Sequence, residues 1–235
     1  MRQTVPAPAP ASRRQRRRQE TIEEVLGIAV AIMAEQGVAG LSTGEIARRM
    51  GIRPPSLYGY FPSKHALYDA LFARGAKSVL AAMSEVLAAP IADGGTLAEV
   101  MHRAGEAFVR WSLEHPAYSQ LLFWRPVPGF TPSPEAYEPA LELVGLSIER
   151  FARLQRLGLL RRDVPAELIH RDWTILIAGV VSQQLSNEPG EDFGAGRFTA
   201  ALPGLAAMFA RHYEPPATSA PTGRGTHADR DRPDR

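Results

Sequence analysis

The chain reads as an all-α protein: a three-helix head built on a helix-turn-helix, followed by a helical bundle. Apolar residues recur with the roughly 3.6-residue period of one helix face through most of the sequence, and no stretch keeps the two-residue alternation of a half-buried strand. Proline and glycine stand where those periodic stretches begin and end. With 235 residues, 45% of them hydrophobic, the chain can bury a sizeable core. It has no cysteine, which excludes disulfides and thiolate chemistry.

Residues 1–17 are expected to be a disordered basic arm, rich in Pro and Ala and ending in Arg13, Arg14, Arg16 and Arg17, with Arg18 next. The first helix is expected over about 19–36, where Ile22, Val25, Leu26, Ala29, Ile32 and Met33 share a face and Glu20, Glu23 and Glu24 suit the positive N-terminal end. Ser42 with Glu45 has capping-box spacing, and Leu41 with Ile46 that of a hydrophobic staple, so a second helix should start at Thr43. Gly51 can take the left-handed conformation that ends it near Met50. Pro54 and Pro55 fit only the first turn of a helix, which places a third helix over Pro54 to Tyr60.

Two short helices around a glycine turn, followed by an aromatic-basic corner, have the layout of a helix-turn-helix DNA reader. The corner is Leu57, Tyr58, Gly59, Tyr60, Phe61, Pro62, Ser63 and Lys64, with Ala66 and Leu67 after it. This stretch, within residues 18–77, resembles the DNA-binding domain of TetR-type (tetracycline-repressor-like) transcriptional regulators. The resemblance implies that Leu57 and Phe61 hold the recognition helix on its scaffold. It implies that Tyr58, Tyr60 and Lys64 reach phosphates, contacts that set register without reading bases. Thr43 adds a hydroxyl at a helix N-terminus. Arg53, Pro54, Pro55 and Ser56 occupy the end that enters the major groove, with Arg53 suited to a bidentate contact to guanine. The family often has Ser or Thr where Arg53 stands and Gly near Pro55, so base contacts here should lean on side chains. The arginine run is placed to enter the adjacent minor groove or cover phosphates.

Charge agrees with this reading. The net charge of +2 hides 12 Lys and Arg against 6 Asp and Glu in residues 1–78, and 15 against 19 in residues 79–235. The excess of positive charge lies where DNA would lie.

Further helices are expected near 63–88, 96–115, 117–124, 134–157, 165–187 and 195–213. Pro116 separates two of them, RPVPGFTPSP over 125–134 is a loop, and Gly158 closes the long helix before it. Residues 78–213 are expected to form a helical domain, which the resemblance implies binds a ligand and dimerises, and residues 214–235 a disordered tail. FVRWSLEHPAYSQLLF at 108–123 resembles a helix pair of one C-terminal subclass of the same regulators. The aromatic residues Phe108, Trp111, Phe123, Trp124 and Trp173 are the expected lining of a pocket, with His102, Gln183 and Gln184 as polar anchors. The last two helices, near 165–187 and 195–213, carry more apolar surface than one core needs and suggest a homodimer.

The expected function is a DNA-binding transcriptional regulator and not an enzyme: a repressor released from a palindromic operator on double-stranded DNA by a small apolar effector. No cofactor is expected. No segment resembles a signal peptide or is long enough to span a membrane, so a cytoplasmic location is expected. Two alternatives have a basis in the residues. Glu99 with His102, and Glu167 with His170, have the Glu-x-x-His spacing of ferritin-like metal bundles. A ligand-independent architectural DNA binder would keep the reading head and have no pocket.

Overall fold

The structure, a computed structural model, describes residues 12–91 and 94–215. Within them the chain forms the helices α1 (Arg13–Gln36), α2 (Thr43–Arg49), α3 (Pro54–Leu57), α4 (Lys64–Ala88), α5 (Leu97–Glu114), α6 (Pro116–Phe123), α7 (Pro134–Arg156), α8 (Ala166–Asn187) and α9 (Leu202–Tyr213), and no strand. The expected all-α class therefore holds for the described residues. The Pro/Ala-rich beginning of the arm, residues 1–11, and the tail from 216 onward lie outside them.

Three local expectations need correction. Residues 13–17 are not an irregular arm, because α1 starts at Arg13. Ser12 makes a capping box there: its hydroxyl accepts from Gln15 N at 3.3 Å, and Gln15 Oε1 accepts from Ser12 N at 2.7 Å. The third helix ends at Leu57 and not at Tyr60. The N–H groups of Tyr60 and Phe61 both donate to Leu57 O, at 2.9 and 3.0 Å, and this tight turn swings Phe61 into the core. The last helix begins at Leu202 after a single 3₁₀ turn over Thr199–Ala201, so residues 195–198 are not part of it. Gly194 has a φ of 94°, and Gly196 lies directly under the Gln184 amide, where a Cβ would collide.

The apolar face of α1, Val25, Leu26, Ala29, Ile32 and Met33, packs with Ile46 of α2, Leu57 of α3 and Leu67, Tyr68 and Leu71 of α4. The buried Tyr68 hydroxyl donates to Val38 O at 2.7 Å, tying α4 to the link between α1 and α2. This core does not stop at residue 77. It continues through Ala76, Val79 and Met83 to Trp111, Ala117, Tyr118 and Leu121 on α5 and α6. A second core joins Val100, Val109, Phe151, Leu154, Ile169, Trp173, Leu202 and Phe209 from α5, α7, α8 and α9. Because α4 belongs to the head and also lines the second half of the molecule, a displacement along it is felt at both ends.

The contact between α4 and α6 is close. A Cβ on Gly75 would stand 2.7 Å from Cδ1 and 3.1 Å from Cγ of Tyr118, atoms near the root of a ring whose residue is itself buried. Replacing Gly75 with Ala gains helix propensity but overpacks this seam, and is expected to lower unfolding stability by about 1–3 kcal/mol in urea titrations. Unchanged or raised stability would mean that α6 moves freely against α4.

Candidate functional site

The first site is the outer surface of α2 and α3. Ser42 caps α2, its hydroxyl accepting from Glu45 N at 3.4 Å, but the Glu45 carboxylate does not return to complete the expected box. It instead accepts from Arg48 at 2.7 Å and from Arg49 at 2.8 Å. Arg49 also reaches Glu35 on α1. These hydrogen bonds hold the Glu45 carboxyl down to about 2 and lower Glu35 as well, so both acids stay ionised across the neutral range. The network consumes both arginines, Arg48 within α2 and Arg49 in pinning α2 to α1.

Arg53 and Lys64 take part in no ion pair among the described residues, and both are exposed. Gly51, with a φ of 67°, closes α2 as the sequence predicts, and Arg53 stands at the N-cap of α3 without a side-chain cap bond. The fold gathers Arg53, Pro54, Pro55, Ser56 and Tyr58 on one exposed surface, with Leu57 and Phe61 buried beneath. Tyr60 is half-buried and carries the Arg18 guanidinium 5.2 Å from its ring centre, while Arg18 Nη1 also donates to Gly59 O at 3.1 Å. At least one arginine of the basic run is thus docked against the recognition corner. Thr43 is half-buried at the start of α2.

The second site is a cavity of about 620 Å³ between α4, α5, α7 and α8, with the last turn of α6 at one end. Helices α4 and α7 run parallel along it. Phe72 stacks on Tyr137 at 5.7 Å near the head, and Arg150 donates to Ala89 O at 2.5 Å at the far end. From Phe72 to Ala89 the cavity follows α4 for about 25 Å at helical rise. Phe123, Trp124, Tyr137 and Val144 line it while remaining between 39 and 45% exposed, which marks its mouth.

Of the expected lining residues, Phe108, Phe123, Trp124 and Trp173 face this cavity. Trp111 does not: its Nε1 donates to Ser78 Oγ at 3.1 Å and its ring stacks on His115, in the core between α4 and α6. None of the three expected polar anchors lines it. His102 lies outside the cavity wall, and Gln183 is exposed and accepts from Asn187. Gln184 is buried but clamps the following loop, donating to Glu188 O at 2.9 Å and accepting from Thr199 N at 3.4 Å.

The polar groups present are Arg103, Ser147, Arg150, His170 and Thr174. His170 Nδ1 and Ser147 Oγ are 3.0 Å apart, and burial holds the imidazole below its ordinary value, which favours its neutral form. Burial also lowers Arg150, reinforced by Arg153 and Arg103 nearby, although an arginine keeps its charge throughout. The sequence did hold a signal for Arg150. It falls among Leu143, Ser147, Phe151 and Leu154 on the inward stripe of α7, where a charged residue is out of place.

The two Glu-x-x-His pairs do not build a metal centre: no group of three or more His, Asp or Glu side chains among the described residues could hold an ion. Glu99 makes the capping box of α5 with Thr96, accepting from Thr96 N at 2.9 Å, and Glu167 is exposed. No helix of the described residues is long and apolar enough to cross a membrane.

The head matches the family described as bacterial regulatory proteins, tetR family, over residues 25–71. The class A tetracycline repressor from transposon 1721 of Escherichia coli is 45% identical over 47 residues, 20% of this chain and 22% of that protein. The chain spans about a fifth of the length of the tetracycline repressors it matches, and about half that of the uncharacterized HTH-type transcriptional regulator YobS of Bacillus subtilis, 26% identical over 98 residues. Two solved structures extend the likeness to the whole fold. A protein from Rhodococcus sp. RHA1 is 18% identical with a TM-score of 0.67, covering 83% of this chain and 95% of its own. The transcriptional regulator FadR from Bacillus subtilis, solved with stearoyl-CoA, is 14% identical with a TM-score of 0.61, covering 80% and 97%. The head, over residues 25–71, thus matches the tetR family of bacterial regulatory proteins, and the chain as a whole shares the helical fold of these solved structures.

Proposed function

We propose that the protein is a homodimeric, one-component repressor that leaves a palindromic operator when a small, largely apolar effector enters the cavity beside α4. The observation that carries this reading is the continuity of α4. Its first residue is Lys64 at the reading corner, and its Phe72, Val79 and Met83 form the cavity wall. Helix α6 makes a second link, with Tyr118 against Gly75 and Phe123 in the cavity. The B. subtilis relative solved with stearoyl-CoA supports a body of this fold as a ligand chamber.

The mechanism is a population shift between head spacings. The effector must bind the spacing that does not fit DNA more tightly, since equal affinity for both would change nothing. In the DNA-bound form, Tyr58, Tyr60, Lys64 and Thr43 contact phosphates, and Arg53 with Pro54, Pro55 and Ser56 faces the bases. The dimer forms through α8 and α9. Most of their apolar residues are used within the chain, but Leu168, Ile175 and Met208 point outward at 40, 64 and 51% exposure. That unpartnered face suits a twofold contact.

Head variants on a selected operator test the reading. Tyr60→Ala with Lys64→Ala is expected to weaken binding to all sequences alike and to flatten the salt dependence by about one counterion for the lost lysine. Arg53→Ala should instead relax discrimination at one base position, by about 1–3 kcal/mol. Discrimination equal to that of the parent would remove Arg53 from base reading. An operator complex that no cavity-binding compound dissociates would favour the architectural alternative.

A further inference from the structure

Arg150 is a buried cation without a counter-ion among the described residues. It is 9% exposed, and its one hydrogen bond there runs from Nη1 to the carbonyl of Ala89. Arg150 lines the cavity, and its remaining guanidinium nitrogens are not among the buried, partnerless polar atoms of the described residues. Removing a guanidinium from water without an opposite charge costs several kcal/mol. The neighbouring charges make matters worse, since Arg103 and Arg153 are also cations and no Asp or Glu among the described residues lines the cavity.

The remaining polar groups fit the same pattern. The Thr174 hydroxyl can donate, as can one member of the Ser147–His170 pair, whose other proton joins the two, and these groups lie on α7 and α8 beside Arg150. The opposite end of the cavity, by Phe72, Phe123 and Tyr137, is aromatic. The cavity is therefore polarised, with positive charge at the end far from the head and hydrocarbon toward it.

Building on the effector reading above, we infer that the effector is an amphiphilic monocarboxylate, its carboxylate paired with Arg150 and its elongated apolar body lying along α4 toward the aromatic end. A guanidinium fork matches a carboxylate bidentately, and a single buried arginine balances a single negative charge. Such a ligand satisfies at once the orphan cation and the long hydrocarbon slot. A neutral compound of equal length fills the slot and leaves Arg150 unpaired.

The test uses the full-length protein, with dodecanoate below its micelle concentration and dodecanol as the neutral match. Binding is read from the fluorescence of Trp124 and Trp173, both of which line the cavity. Dodecanoate is expected to bind on the order of tenfold more tightly than dodecanol. Arg150→Gln should bring the acid down to the affinity of the alcohol and leave the alcohol unchanged, while Arg150→Lys keeps part of the preference. Equal affinities in the parent, or a preference that survives Arg150→Gln, would overturn the anionic head and leave the apolar effector standing. Binding of neither compound would overturn both. The comparison in the parent decides the matter even if the glutamine variant does not fold.

Discussion

Replacing Ile175 and Met208 together with aspartate is expected to convert the protein to a monomer and to cut its affinity for a two-half-site operator by about 10²- to 10⁴-fold. Neither side chain supports the fold of its own chain, because both are more than half exposed on α8 and α9. Four carboxylates would meet across a twofold axis, an arrangement with no compensating gain. The half-site contact of each head is untouched, so all the lost affinity comes from losing the second head. Sedimentation and operator titration on the same sample check this. A variant that stays dimeric would move the interface to another face, and a monomer with full affinity would refute the two-headed reading.

Trp173→Ala is expected to cost about 3–5 kcal/mol of unfolding free energy, a large share of the roughly 5–15 kcal/mol typical of a domain. Trp173 is 4% exposed and joins three helices. Its ring meets Phe209 of α9 edge-on at 5.0 Å, and it covers Gly105 of α5 so closely that a Cβ there would lie 3.0 Å from Cζ2. The same ring walls the cavity, so its loss merges a packing defect with that space. Collapse of the site is opposed on both sides, which places the expected cost in the upper part of the range for core truncations. A loss below about 1 kcal/mol in denaturant titrations would show that α8 and α9 repack around the gap.

The head was legible because its rules are local. Gly51, Pro54 and the Leu57 to Lys64 run each dictate backbone or burial within a few residues, and the chain folds there as they require. The spacing rules were less secure where two chemistries share one pattern. Ser42 and Glu45 have capping-box spacing, yet Arg48 and Arg49 draw the carboxylate away. Glu99 has metal-pair spacing with His102, yet it caps α5. Both outcomes depend on neighbours that the spacing does not contain.

The cavity was legible only in part. Aromatic content pointed to Phe108, Phe123, Trp124 and Trp173, but it could not separate them from Trp111, which differs only in the helix face it occupies. The expected polar anchors are His102 and the amides of Gln183 and Gln184, whereas Gln184 holds a loop and the polar groups that line the cavity include Arg150, Ser147 and His170. Their convergence is tertiary, set by α7 lying parallel to α4 and across from α8, and no single segment encodes it.

Selection of bound sequences from a random double-stranded DNA pool, followed by titration of the winner across a salt series, tests the central claim most directly. The account predicts a palindromic winner with half-sites about one DNA turn, roughly 34–36 Å, apart and a steep fall in affinity with salt. Enrichment of no sequence, or of single half-sites without symmetry, would contradict a dimeric sequence-specific regulator.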